Sequence, residues 1–163
     1  MLRDKSLIPL SHQHQHALAL CVRIDRALPI PESDLDEWQS EIEQEFRGEI
    51  AIHFSAEEQV VFPAAKRFNE LASVVENLLI EHVDLRRLFA RAEDRALNSS
   101  ELAAFAGKLS NHIRTEERKL FEMLQQLLDA TELAELGNHL AIALKDAAHA
   151  CSVPNPATRL RKK

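Results

Sequence analysis

Five segments of this chain place apolar residues three, four and seven positions apart, which is the spacing of amphipathic helices. None of them alternates as a half-buried strand does. The 163 residues include only three glycines, too few for the turns of a sandwich or barrel built from many short strands. The pattern therefore predicts an all-α fold.

Short segments that contain proline or helix-capping residues separate the five predicted helices. Two prolines at 29–31 end the first helix. We expect Ser33 to cap the second helix, the segment 98–100 to cap the fourth and Thr131 to cap the fifth. The predicted spans are 9–28, 33–63 or slightly beyond, 71–97, 101–129 and 131–151.

Four long helices with short links can bury their apolar stripes only against one another. This arrangement predicts an up-down-up-down four-helix bundle with an additional C-terminal helix. We expect one domain over residues 1–151 and a disordered basic tail over 152–163. The acidic residues Glu41, Glu43, Glu45 and Glu49 are expected on the solvated side of the second helix.

Composition excludes several classes of protein. Lysine and arginine total 20 against 26 acidic residues, and the net charge of -6 argues against nucleic-acid binding. No apolar run approaches the roughly 18 residues of a membrane span, and the first residues do not resemble a signal peptide. Cys21 and Cys151 are far apart, as is typical of proteins from a reducing compartment. We expect a cytoplasmic protein without nucleic-acid or membrane partners; no feature specifies a protein partner.

One ten-residue pattern, H-x-x-x-E-E-x-x-x-F, occurs twice, at 53–62 on the second helix and at 112–121 on the fourth. Residues four apart lie on the same helix face, so each copy directs an imidazole and a carboxylate the same way. His53 and Glu57 fall in the middle of the apolar stripe of their helix, and so do His112 and Glu116. This donor set suits a divalent ion such as iron, manganese or zinc.

The two remaining long helices each add one inward histidine. His82 shares a face with the apolar residues of the third helix, and His14 does so on the first. His12 and His16 point away from the stripe and are expected to be solvated, although either is an alternative to His14 as a ligand. With a rise of about 1.5 Å per residue, the histidines of all four helices can lie at one depth, with the poorest match at the first junction.

A buried polar network without a cation is the alternative to a metal site. Two ionised glutamates and four imidazoles would then be buried at a cost of several kcal/mol per charge. A metal ion coordinated by the same atoms removes that cost, so the metal site is the favoured interpretation.

Over about residues 7–128 the chain resembles the hemerythrin family, specifically the bacterial hemerythrin-like, or HHE cation-binding, domain. The resemblance rests on the repeated H-x-x-x-E pair and the single histidines on the alternating helices. It implies a non-heme di-iron centre with an oxo or hydroxo bridge and with Glu57 and Glu116 as bridging carboxylates; zinc or manganese remains an alternative. The implied ligands are His14, His53, Glu57, His82, His112 and Glu116.

The chain departs from the oxygen-carrying members at one position. Those proteins have a second histidine on the third helix, four residues after the first, where this chain has Arg86. A guanidinium cannot coordinate iron. Glu58, Glu81 or water would then complete the coordination, and Arg86 is expected to pair with Glu57 or Glu58.

These residues predict a non-heme iron protein whose reduced centre meets oxygen, nitric oxide or hydrogen peroxide, in sensing, storage or detoxification. Phe46, Phe54, Leu78 and Phe105 are expected to line the site and slow the access of water. The alternative is a metal-dependent regulatory or interaction module with a mononuclear or zinc site and no gas chemistry. Peroxide decomposition is a third option, for which the sequence offers no acid-base pair beyond the ligands.

Overall fold

The computed structural model describes residues 2–147 and Thr158. Within that part of the chain all regular structure is helical and no residue belongs to a strand. The prediction of an all-α fold is therefore confirmed.

Five helices follow one another along the chain, and we number them α1 to α5. α1 is Ile8–Ala27, α3 is Asn69–Glu93 and α5 is Ala130–Ala143. α2 (35–66) follows a 3-10 turn at Glu32–Asp34 and consists of Leu35–Glu45, Ala51–Ala56 and Phe62–Lys66, joined by π-helical turns at Phe46–Ile50 and Glu57–Val61. α4 (99–127) consists of Ser99–Thr115 and Phe121–Leu127, joined by a π-helical turn at Glu116–Leu120.

Two of the predicted helix starts are wrong. Ser33 lies in the 3-10 turn, and its hydroxyl donates to the Asp34 carboxylate instead of capping α2. At α5 the cap is Asp129, because its carboxylate accepts from the backbone N–H groups of Thr131 and Glu132. The cap at Asn98 is confirmed by a reciprocal bond pair with Glu101.

Two helices end a turn or more before their predicted limits. α3 stops at Glu93 because Arg95 adopts a left-handed φ of 56°, which ends the helical repeat before Leu97. α5 stops at Ala143, where the backbone bonds tighten into turns. Cys151, His149 and the expected tail 152–163, apart from Thr158, lie outside the described residues.

The helices pack in a closed order around a shared interior. α1 contacts α2 and α4, α3 contacts the same two helices, and α5 packs against α2. Buried apolar residues form two clusters, one around Ile42, Phe89 and Phe105 and the other around Phe62 and Phe121. On each of α1 to α4 the buried polar residues of the next subsection lie between the two clusters.

The acidic residues of α2 are less solvated than expected. Glu41, Glu45 and Glu49 are each only 3% exposed. The reason is the neighbouring helix: Arg23 of α1 pairs with Glu41, and His16 of α1 lies 3.0 Å from Glu49. Glu41 and Glu49 therefore connect α2 to α1.

The cap of α4 offers a test of the helix boundaries. Replacing Asn98 by alanine removes the acceptor for the Glu101 backbone N–H, and we expect the free energy of unfolding to fall by about 1 kcal/mol. Asn98→Asp keeps an acceptor and is the control. Urea denaturation of both variants measures the effect; equal stability of Asn98→Ala and the parent chain would contradict the assignment.

Candidate metal centre

Six buried polar side chains from four helices meet between the two apolar clusters. They form two groups of potential ligand atoms, and the atoms of each group lie within 4.8 Å of one another. Both groups contain Glu57 and Glu116, and each residue of the set is at most 3% exposed. One group adds His14 and His53, the other His82 and His112. The structure thus brings together every residue that the sequence predicted for the site.

The histidines meet in pairs through their Nε2 atoms. The Nε2 atoms of His14 and His53 are 2.9 Å apart, and those of His82 and His112 are 3.1 Å apart. His12 and His16 are exposed, as predicted, and neither belongs to a group.

Each glutamate stands between the two histidine pairs. The oxygens of Glu57 lie 3.1 Å from the Nε2 atom of His53 and 3.4 Å from that of His82, so this carboxylate contacts one member of each pair. Such a position is suited to bridging two cations. Glu116 is placed equivalently, 3.1 Å from His14 and 3.2 Å from His112.

In each of the four site histidines, the Nδ1 atom, which faces away from the centre of the site, lies next to an oxygen acceptor. The Nδ1 contacts are His14 with Glu117 (2.7 Å), His53 with Gln13 (2.8 Å), His82 with Glu58 (2.7 Å) and His112 with Glu81 (2.7 Å). A carboxylate or amide oxygen at Nδ1 holds the ring proton there and directs the Nε2 lone pair inward. All four imidazoles are therefore oriented as metal ligands.

These positions bring together negative charge and lone pairs that a cation would balance. With protons on Nδ1, the paired Nε2 lone pairs face each other, and neither Glu57 nor Glu116 receives a hydrogen bond on its buried oxygens. Buried carboxylates without donors or a counter-charge are strongly destabilising. Imidazole and carboxylate donors fit a divalent transition metal, so the residues fit the group that the resemblance implies.

Protons take the place of that cation in the metal-free protein. Burial lowers the pKa of His14, but hydrogen bonds to Glu116 and Glu117 outweigh it and raise the pKa to about 9. At His112 burial has the same effect, and the charge of Glu116 raises the pKa to about 10. Burial raises the pKa of Glu57, yet the neighbouring His53 brings it well below its ordinary value. The carboxylates stay ionised, and two of the imidazoles hold a second proton.

The two copies of the repeat have the same local structure and make equivalent contacts with a neighbouring helix. A π-helical turn begins at Glu57 in one copy and at Glu116 in the other, and such turns are frequent at functional sites. The second glutamate of each copy reaches an adjacent helix: Glu58 of α2 contacts His82 of α3, and Glu117 of α4 contacts His14 of α1. The closing phenylalanines follow the same rule, with Phe62 5.3 Å from the ring of His82 and Phe121 5.6 Å from that of His14.

Arginines pair with Glu58 and Glu117, which we call the outer glutamates. Arg86 donates to Glu58 at 2.6 Å, which confirms one of its two expected partners. Arg3, which sequence reasoning missed, donates to Glu117 at the same distance. Glu58 and Glu81 bind imidazole Nδ1 atoms and belong to neither ligand group. Gln13 was also missed; its only local signal is its position directly before His14, which matches that of Glu81 before His82.

Part of the expected lining lies further away. Phe54 stacks on His82 with the ring centres 3.9 Å apart. Phe46 and Phe105 pack against Phe89 instead, because they belong to the next turns of the apolar cluster. Leu78 is buried in the opposite cluster.

A small cavity adjoins the site. Its volume is about 10 Å³, and Gln13, His14, His53, Phe54 and His112 are among the residues that line it. That is about the space that one water molecule needs.

Fold and site together define an all-helical protein with a buried histidine and carboxylate site suited to metal ions. The family model described as the hemerythrin HHE cation binding domain matches residues 9–124, a range that contains all six side chains. The chain belongs to the hemerythrin HHE cation-binding domain family. No curated protein and no solved structure gives a significant match. Among the described residues no helix is long and apolar enough to cross a membrane.

Metal uptake should release protons. At pH 7 the raised pKa values keep the second ring proton on His14 and His112, so saturation with zinc is expected to displace about two protons per chain. The number should fall as the pH rises through 9 to 10, where these protons are already lost. Calorimetry in buffers of different ionisation enthalpy measures it. The double variant His12→Ala/His16→Ala is the control and should release the same number; release that is independent of pH would contradict the protonation states.

The outer glutamates should matter for metal affinity although neither is a ligand. Glu58→Ala or Glu117→Ala leaves one Nδ1 atom without its acceptor, and each is expected to weaken zinc binding by about 10- to 100-fold. Competition with a chelating dye measures the affinity. Glu76, exposed on α3, provides the control Glu76→Ala; affinities equal to the control would show that Glu58 and Glu117 do not support the site.

Proposed function

We propose that the chain holds two iron ions between four helices arranged as an up-down-up-down bundle, with α5 added to it. One ion would be bound by His14 and His53, the other by His82 and His112, and Glu57 and Glu116 would bridge them. The observation that carries this proposal is the presence of two histidine pairs that share both carboxylates.

The donor set resembles a non-heme iron centre more than a structural zinc site. Structural zinc sites are closed, four-coordinate and often rich in cysteine, whereas the groups here consist of histidine and glutamate. Two imidazoles with carboxylates and open positions are typical of non-heme Fe(II) centres. Arg86 stands where oxygen carriers have a fifth histidine, so each ion would receive two imidazoles and keep positions for water or an external ligand.

We propose that the external ligand is oxygen, nitric oxide or hydrogen peroxide. The cavity of about 10 Å³ beside the histidines has no room for an organic substrate, which favours a ligand of very few atoms. When bound, iron supplies the electrons and the open coordination position for such ligands. Phe54 and Phe121 cover imidazole faces and restrict water, while the acceptors at Nδ1 keep the rings oriented.

The biological role that fits such a site is sensing, storage or detoxification of one of these molecules. A cytoplasmic location is part of the proposal and is supported by the buried free thiol of Cys21. The alternative is a regulatory module that holds one metal ion, or zinc, with the same ligands. Such a module would not respond to gases, and the experiment below distinguishes the two functions.

Reconstitution with Fe(II) under anaerobic conditions provides the test. We expect about two irons per chain and a change in the optical spectrum on addition of nitric oxide. Glu57→Ala and Glu116→Ala should lose iron, whereas His139→Ala, an exposed position on α5, should retain it.

The other outcomes are informative. A single bound metal ion without a response to nitric oxide would favour the regulatory module. Oxygen release from peroxide that depends on Glu57 would indicate peroxide decomposition. Iron content near zero in the parent chain would refute the proposal.

A further inference from the structure

The two histidine pairs have closely matched surroundings. Each includes one imidazole whose Nδ1 lies 2.7 Å from a glutamate that is itself paired with an arginine. On one side these residues are His14, Glu117 and Arg3; on the other they are His82, Glu58 and Arg86. In these contacts the charge around the two sides is equal.

The second imidazole of each pair breaks this equality. The Nδ1 atom of His53 lies 2.8 Å from the amide oxygen of Gln13, whereas that of His112 lies 2.7 Å from a carboxylate oxygen of Glu81. Among the described residues no lysine or arginine forms an ion pair with Glu81. In these direct contacts the His82 and His112 side therefore has one more carboxylate without a paired arginine than the His14 and His53 side.

A carboxylate at Nδ1 affects a ligand more than an amide does. The charge-assisted bond draws the Nδ1 proton toward the acceptor and increases the electron density that Nε2 offers a cation. The Glu81 side chain is 44% exposed, and solvent screens its field at a distance, but the direct hydrogen bond to His112 transmits the effect through the ring.

We infer that the two metal positions are unequal and that Glu81, as a positioning residue, makes the His82 and His112 position the first to bind a cation. This inference rests on the two-metal site of the proposed function. It concerns the order of loading, which the shared carboxylates alone would leave undetermined because both positions use them.

Zinc titration of the metal-free protein, followed by NMR of the histidine ring signals, shows the order directly. Up to one equivalent of zinc, we expect the ring signals of His82 and His112 to shift to their bound positions. The signals of His14 and His53 should complete their shift only with the second equivalent. Parallel movement of all four, or prior movement of His14 and His53, would overturn the inference.

Isosteric exchanges supply the matched variants. Glu81→Gln makes the two sides alike and should reduce the ratio of the two affinities by about tenfold. The double variant Gln13→Glu/Glu81→Gln transfers the carboxylate and should reverse the order, with His14 and His53 bound first. An unchanged order in the double variant would refute the role of Glu81.

The result also separates this inference from the proposed function. Two zinc ions bound with equal affinity would overturn the inequality and leave the two-metal site intact. Saturation with a single zinc ion would refute the two-metal site itself and the loading order with it.

Discussion

Two carboxylates buried at the centre of the protein impose the constraint on which the rest of the structure depends. Glu57 and Glu116 are fully buried, and their oxygens receive no hydrogen bond while the imidazoles are neutral with the proton on Nδ1. Ionised carboxylates in such surroundings cost several kcal/mol each unless a cation compensates them. Compensation of these charges requires a layer of polar groups across the protein. That layer contains the four imidazoles and the acceptors at their Nδ1 atoms, and it divides the apolar core into two clusters.

The layer is built from two copies of one structural unit. Each copy of the repeat contributes a histidine and a glutamate to the site from its own helix. Its second glutamate and its phenylalanine contact a histidine on an adjacent helix. The arginines that neutralise those glutamates, Arg3 and Arg86, come from unrelated positions in the sequence. The two histidine pairs nevertheless differ in one contact, because Nδ1 of His53 lies against the amide of Gln13 and Nδ1 of His112 against the carboxylate of Glu81.

Local periodicity accounts for what the sequence could predict. Residues four apart share a helix face, so His53 with Glu57 and the apolar stripe around His14 could be placed without coordinates. Contacts between distant parts of the chain left no such signal: the arginine that pairs with Glu117 is Arg3, 114 residues away. Glu41 was expected in solvent for the same reason, since its partner Arg23 is on another helix.

The central claim is that two metal ions lie between Glu57 and Glu116, one beside each histidine pair. Anomalous diffraction at the iron absorption edge from crystals of the iron-loaded protein tests it most directly. The account predicts two peaks, one next to the Nε2 atoms of His14 and His53 and one next to those of His82 and His112. A single peak, or peaks only at exposed residues such as His12 and His16, would contradict it.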